Sequence, residues 1–229
     1  MKRIGLIGGM SWESTAIYYR LLNLGVKARL GGHSSADLVL RRVDFAPIEA
    51  LQRGCDWAGL DAVMAQAAQD VEAAGAEFLL LCTNTMHRCA DAIENAISIP
   101  LLHIADPLEM VLGEMEIETV GLLGTRYTME QGFYRARLGA AGVEVIVPEA
   151  PDRSEVHRII FEELVAGRIE EASRKTCKDI MEQLAGDGAD AIILGCTEIG
   201  LLVRPEDALV PVLDTTILHA QAAVDWALG

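Results

Sequence analysis

Apolar residues fall along this chain in two alternating kinds of stretch. Short continuous apolar runs occur at residues 3–7, 78–81, 119–123 and 191–194, and the longer segments between them carry apolar positions at helical spacing. A strand that is apolar at every position, rather than at every second one, is covered on both faces. The pattern therefore predicts an α/β chain whose parallel strands lie between layers of helices. Glycines at several strand ends mark sharp turns.

The pattern also occurs twice. Arg3-Ile4-Gly5-Leu6-Ile7-Gly8 matches Thr119-Val120-Gly121-Leu122-Leu123-Gly124, and each is followed by a hydroxyl-rich turn and a helix bearing aromatics, Tyr18-Tyr19-Arg20 and Phe133-Tyr134-Arg135. Gly75-Ala76-Glu77-Phe78 and its following apolar run match Gly188-Ala189-Asp190-Ala191 and its run, and Ile99-Pro100-Leu101-Leu102 matches Val210-Pro211-Val212-Leu213. Three matches in one order, at nearly constant offset, predict two similar halves. We assign residues 1–102 to the first, completed by a C-terminal helix over 215–229, and residues 103–214 to the second.

Composition narrows the class of partner. The chain has 229 residues, 51% of them apolar and 23% charged, which suits a folded protein and not a disordered one. Its 19 Lys and Arg against 34 Asp and Glu leave a net charge of −15, a field that repels phosphate backbones and anionic membrane surfaces. Nucleic acid and membrane partners are not expected. A small anionic substrate remains compatible, because local donors outweigh surface charges screened within about 8 Å. No window approaches the ~20 apolar residues of a membrane span, and the glycine-broken start is too short for a signal peptide, so a cytoplasmic location is expected. Five cysteines, Cys55, Cys82, Cys89, Cys177 and Cys196, form no C-x-x-C pair and are read as free thiols.

Open parallel sheets bind ligands beyond the carboxyl ends of their strands. The loops there are Gly8-Gly9-Met10-Ser11, Thr83-Asn84-Thr85, Thr125-Arg126-Tyr127-Thr128 and Cys196-Thr197-Glu198. Each leads into a helix, so unpaired N–H groups in the loop are expected to hold a carboxylate without a lysine. The hydroxyl residues would add short polar contacts, and each on its own could equally be a helix cap. The spacing G-x-x-G-G departs from the dinucleotide fingerprint, no phosphate loop is present, and His33, His103, His157 and His219 lack metal-ligand spacing. No cofactor and no metal are expected.

Cys196, where a buried strand opens toward a helix, is the strongest candidate for acid–base chemistry, with the helix terminus expected to lower its thiol pKa. Glu198 is placed to orient that thiol or a substrate ammonium group, or to favour the helix N-terminus. Aligning Gly75 with Gly188 sets Thr83 opposite Cys196 and Cys82 opposite Gly195. Neighbours on a strand point to opposite faces, so Cys82 is read as packing. His87, one turn beyond Thr83, is read either as orienting that loop or as a structural histidine. Cys55, Cys89 and Cys177 receive no role.

Gly8-Gly9-Met10-Ser11, Thr83-Asn84-Thr85-Met86-His87 and Gly195-Cys196-Thr197-Glu198 together resemble the aspartate/glutamate racemase family, and the resemblance spans essentially the whole chain. It implies two pseudo-symmetric α/β halves with the active site in the cleft between them, an isomerase needing no pyridoxal phosphate or metal, and a homodimer. G-C-T-E at the second motif resembles the aspartate side of the family. The family mechanism uses two cysteines on opposite faces of an amino acid, one taking the Cα proton and the other returning one. By position these are Cys196 and Thr83. The family's cysteine is thus a threonine here, which implies an asymmetric enzyme that handles one enantiomer better. Gly9, Met10, Ser11, Asn84, Thr85, Thr125, Thr197 and Glu198 are the expected substrate-binding residues.

A second departure concerns the substrate side chain. Basic residues that grip a distal carboxylate in some aspartate racemases align near Phe45 and at Val165, neither of them basic. Arg41, Arg42, Gln52, Arg126 and Arg168 are the candidates to compensate, and a broader amino-acid range is compatible. Alternatives on the same scaffold are a hydantoin racemase, a maleate isomerase or a malonate-type decarboxylase. A non-catalytic carboxylate-binding protein is the alternative outside enzymes.

Overall fold

The computed structural model describes residues 1–229. Seven strands form two wholly parallel sheets, one in each of two units. The first unit comprises Met1–Ile104 and His219–Gly229, the second Ala105–Leu218.

The first sheet contains β1 (Ile4–Gly8), β2 (Leu38–Arg42) and β3 (Phe78–Leu81) in the order β2-β1-β3. β1 and β3 are buried at every residue, as their unbroken apolar sequences require. β2 is an edge strand, and only Leu38 and Val39 are half-buried. On one face Ile7, Leu79 and Leu81 pack with Leu60, Met64 and Val71 of the helix Trp57–Ala73. On the other, Ile4, Leu6 and Leu80 pack with Tyr18, Leu22 and Val26 of the helix Trp12–Leu30 and with Ala220, Ala223 and Val224 of the C-terminal helix. Burying each large side chain contributes roughly 1.5–3 kcal/mol. Both faces of the sheet are therefore needed. The C-terminal helix Thr215–Leu228 is shared, since its first four residues belong to the second unit.

The second sheet contains β4 (Thr119–Gly124), β5 (Glu144–Ile146), β6 (Ala191–Gly195) and β7 (Val212–Asp214) in the order β5-β4-β6-β7. β4 takes the place of β1, β5 of β2 and β6 of β3. A lone bridge from Leu79 to Leu101 stands where β6 pairs with β7. The repeat extends to individual hydrogen bonds. Leu79 N–H donates to Pro100 O at 2.9 Å and its counterpart Ile192 N–H to Pro211 O at 2.8 Å. Glu77 N–H donates to Arg3 O at 2.9 Å and Asp190 N–H to Thr119 O at 2.8 Å. The halves differ after their first strand, where the single helix Trp12–Leu30 is replaced by two short ones, Arg126–Glu130 and Phe133–Ala140. No helix is long and apolar enough to cross a membrane.

Candidate active site

In the first unit, β1 ends at Gly8 and the chain turns through Gly9 at φ +99°. A Cβ at Gly9 would lie 2.1 Å from Val43 O, so only glycine fits both the angle and the space. Ser11 then caps the helix Trp12–Leu30, accepting from Ser14 N–H at 3.2 Å. The Gly9 N–H donates to Thr15 Oγ1 at 2.8 Å, and the Thr15 hydroxyl donates to Ser11 O at 2.9 Å. Thr125 repeats the cap in the second unit, accepting from Thr128 N–H at 3.2 Å. The amides of Gly9, Ser14 and Thr128 are thus not the unpaired anion donors expected from the sequence. The hydroxyls that the sequence supplies nearby have taken them, as the capping alternative required.

Beyond β3 the ladder ends with Cys82 N–H donating to Ile7 O at 2.9 Å. The Cys82 side chain lies in the core with Tyr18, Leu22 and Leu80, where burial pushes its thiol pKa far up. Thr83 follows, also buried. Its carbonyl accepts from His87 Nδ1 at 2.8 Å, and its hydroxyl makes no hydrogen bond within the chain. Ile104 N–H donates to the other ring nitrogen of His87, Nε2, at 3.2 Å. An amide can only donate, so the ring is neutral with its proton on Nδ1. Asn84 and Thr85 lead into the short 3-10 helix Thr85–Cys89 and are buried, as is Met10.

Beyond β6 stand Cys196, Thr197 and Glu198, each only 6% exposed. The Cys196 thiol donates to Glu198 Oε2 at 3.0 Å, and the Thr197 hydroxyl donates to the same oxygen at 2.6 Å. Burial raises the Cys196 pKa well above its ordinary value. The charge and hydrogen bond of Glu198 add to the rise, and the N–H groups of Glu198 and Ile199 oppose it. The expected lowering by the helix terminus exists but is outweighed. The resting group is therefore a thiol hydrogen-bonded to a carboxylate.

Of the residues named as compensating for the missing basic positions, Arg41 is paired with Asp70 at 2.9 Å and Arg168 bonds to Glu162 O. Gln52 is buried with its Nε2 donating to Met86 Sδ at 3.2 Å. Arg126 lies over the Tyr127 ring. Arg42 lines a surface cavity of about 460 Å³ with Trp12, Tyr19 and Leu40. What sequence reasoning missed is a buried group of three histidines around His87, whose members are too far apart in the chain to announce one another.

The sequence model of the Asp/Glu/hydantoin racemase family matches residues 7–223, and the chain belongs to that family of isomerases. Over its whole length it is 53% identical to a Yersinia pestis protein assigned to the Asp/Glu racemases, whose crystal structure covers it fully with a TM-score of 0.94. An aspartate racemase homologue from Pyrococcus horikoshii is 31% identical, again with full coverage of both chains, at a TM-score of 0.84. The broad specificity amino-acid racemase RacX of Bacillus subtilis is 22% identical over 99% of this chain and 98% of its own.

Proposed function

We propose that this protein is a cofactor-independent amino-acid racemase in which Cys196 exchanges the Cα proton on one face and the Thr83 hydroxyl serves the other. The supporting observation is the 3.0 Å hydrogen bond from a buried thiol to a buried carboxylate at the end of a central strand. Glu198 takes the Cys196 proton, and the resulting thiolate takes the Cα proton. The electron pair left on Cα spreads into the substrate carboxylate, which needs donors in place as that charge develops. Return of the proton from Cys196 restores the starting enantiomer. Delivery of a proton from the Thr83 hydroxyl inverts it; solvent then replaces that proton and takes up the one left on Glu198. The substrate range we propose is aspartate, glutamate or a wider set, because the aligned positions near Phe45 and at Val165 carry no cation.

A hydroxyl is a far weaker acid than a thiol, so return from Cys196 outpaces delivery from Thr83. The asymmetry cannot appear in kcat/KM, since an equilibrium constant of one makes that ratio equal in both directions. It appears in kcat and KM taken separately, and in where isotope goes. In heavy water, NMR and chiral separation should find deuterium at Cα of uninverted substrate faster than inversion occurs, for one enantiomer. Cys196→Ala should abolish both. Absence of Cα exchange across both enantiomers of aspartate, glutamate and several neutral amino acids would overturn the reading. A thiol held protonated also suits a malonate-type decarboxylase, which needs only a proton donor; release of carbon dioxide from small dicarboxylates would favour it.

A further inference from the structure

His87, His103 and His219 are all buried in the first unit, next to the Thr83 loop. The His87 ring centroid lies 4.5 Å from that of His103 and 5.8 Å from that of His219. They do not converge on a position where a metal ion could be held. His219 Nε2–H donates to Leu102 O at 2.9 Å, which leaves its Nδ1 to accept from the Tyr18 hydroxyl at 2.8 Å. His87 has the opposite tautomer, with Nδ1–H on Thr83 O and Nε2 accepting from Ile104.

The two halves treat their corresponding carbonyls differently. Cys196 O accepts from the backbone N–H of Ile199 at 3.2 Å, so the main chain itself closes that turn. Thr83 O is held instead by a side chain four residues on, and the position matching His87 in the second half is Gly200. Thr83 also lies just past the last ladder bond of its strand. The geometry points to His87 as a positioning residue: resting on the racemase reading above, we propose that its Nδ1–H bond to Thr83 O sets where the Thr83 hydroxyl meets the substrate. Its second nitrogen refers that loop to Ile104, the last residue of the first unit before the chain leaves it. Because the Cys196 turn has no such side-chain tether, loss of the ring affects one proton-transfer face and leaves the other.

The two nitrogens can be separated by substitution. Asn at position 87 places an amide donor near the Nδ1 site, whereas Gln places its amide near the Nε2 site and leaves Thr83 O without a donor. The readout is the ratio of in-place Cα deuterium exchange to inversion, from which the fraction of active protein cancels. His87→Gln should raise that ratio roughly fivefold, the size expected for loss of one hydrogen bond, and His87→Asn should stay near wild type. A merely structural histidine would lower exchange and inversion together, leaving the ratio unchanged in both variants, and that result overturns the proposal. Should His87→Gln not fold, ¹⁵N-histidine NMR of the unaltered protein decides, with an Nδ1–H tautomer at His87 required and an Nε2–H tautomer fatal. If the unaltered protein exchanges no Cα proton, it is the racemase reading that has failed, and the tautomer measurement distinguishes the two failures.

Discussion

At the scale of single residues the proposed chemistry turns on two atoms that share a hydrogen bond, Cys196 Sγ and Glu198 Oε2. Glu198 raises the thiol pKa by its charge and by accepting the thiol proton in a hydrogen bond. Removing the charge should therefore lower that pKa while removing the group that takes the proton. Glu198→Gln is expected to become alkylated by iodoacetamide at Cys196 at lower pH than wild type, yet to lose ~10²-fold in kcat for want of a base. Alkylation shifted to higher pH would show that the carboxylate does not govern the thiol. Thr83→Cys is the complementary test, because a second thiol should raise inversion relative to in-place exchange, measured by chiral chromatography of deuterated product. Counting from Gly75 and Gly188 gives Thr83 the place in its half that Cys196 has in the other, and the matching bonds of Leu79 and Ile192 keep that correspondence. The sign of the Cys196 shift was not legible, since helix N–H groups and a neighbouring carboxylate pull in opposite directions and only burial decides between them. The tether on Thr83 was half visible, in the four-residue step to His87. Its other end, Ile104, is supplied by the fold.

Among the elements, the strands read from the sequence are those covered on both faces. β1, β3, β4 and β6 are unbroken apolar runs because helices lie on either side. β2 and β5 were not among those runs. β2 reads Leu-Val-Leu-Arg-Arg and β5 has three residues starting with an exposed glutamate, since an edge strand is paired on one side only and needs little apolar surface. The turn after β1 was legible in outline as glycine-rich, but its bonding was not, because Ser11 and Thr15 satisfy amides that a ligand was expected to use. Gly9→Ala tests how tightly this turn is built. With φ at +99° and Val43 O at 2.1 Å from the new Cβ, the strand–helix junction has to shift. We expect a loss of at least ~1–3 kcal/mol in urea unfolding, with activity falling more than stability, since Met10 and Ser11 move with it. Unchanged stability would mean that the turn is more plastic than its geometry implies.

For the molecule as a whole, the repeat in the sequence was a sound guide to two parallel sheets, but it did not foresee that the returning C-terminal helix brings His219 beneath Tyr18. That burial makes the stability of the first unit depend on pH. Desolvation lowers the His219 pKa from 6.5 to about 4, against the weaker pull of its bond to Leu102. His87 is shifted the same way by burial and by the neighbouring His103 and His219. A depressed histidine binds fewer protons folded than unfolded, so its contribution is present above pH ~6.5 and is lost as pH falls toward 4. At pH 5 the His219 shift alone costs about 2 kcal/mol relative to pH 7. The net charge of −15 works the other way, because protonating surface carboxylates relieves repulsion as the pI of about 4.7 is approached. A comparison with His219→Gln separates the two, since the surface charge is common to both proteins. All three tryptophans, Trp12, Trp57 and Trp226, lie in the first unit, and Trp226 stacks on Phe78 at 5.0 Å, so tryptophan fluorescence reports on this unit directly. In urea titrations the wild type should lose stability between pH 7 and pH 5 by about 2 kcal/mol more than His219→Gln. Equal losses would mean that His219 is protonated in the folded protein and that its bond from Tyr18 is not maintained.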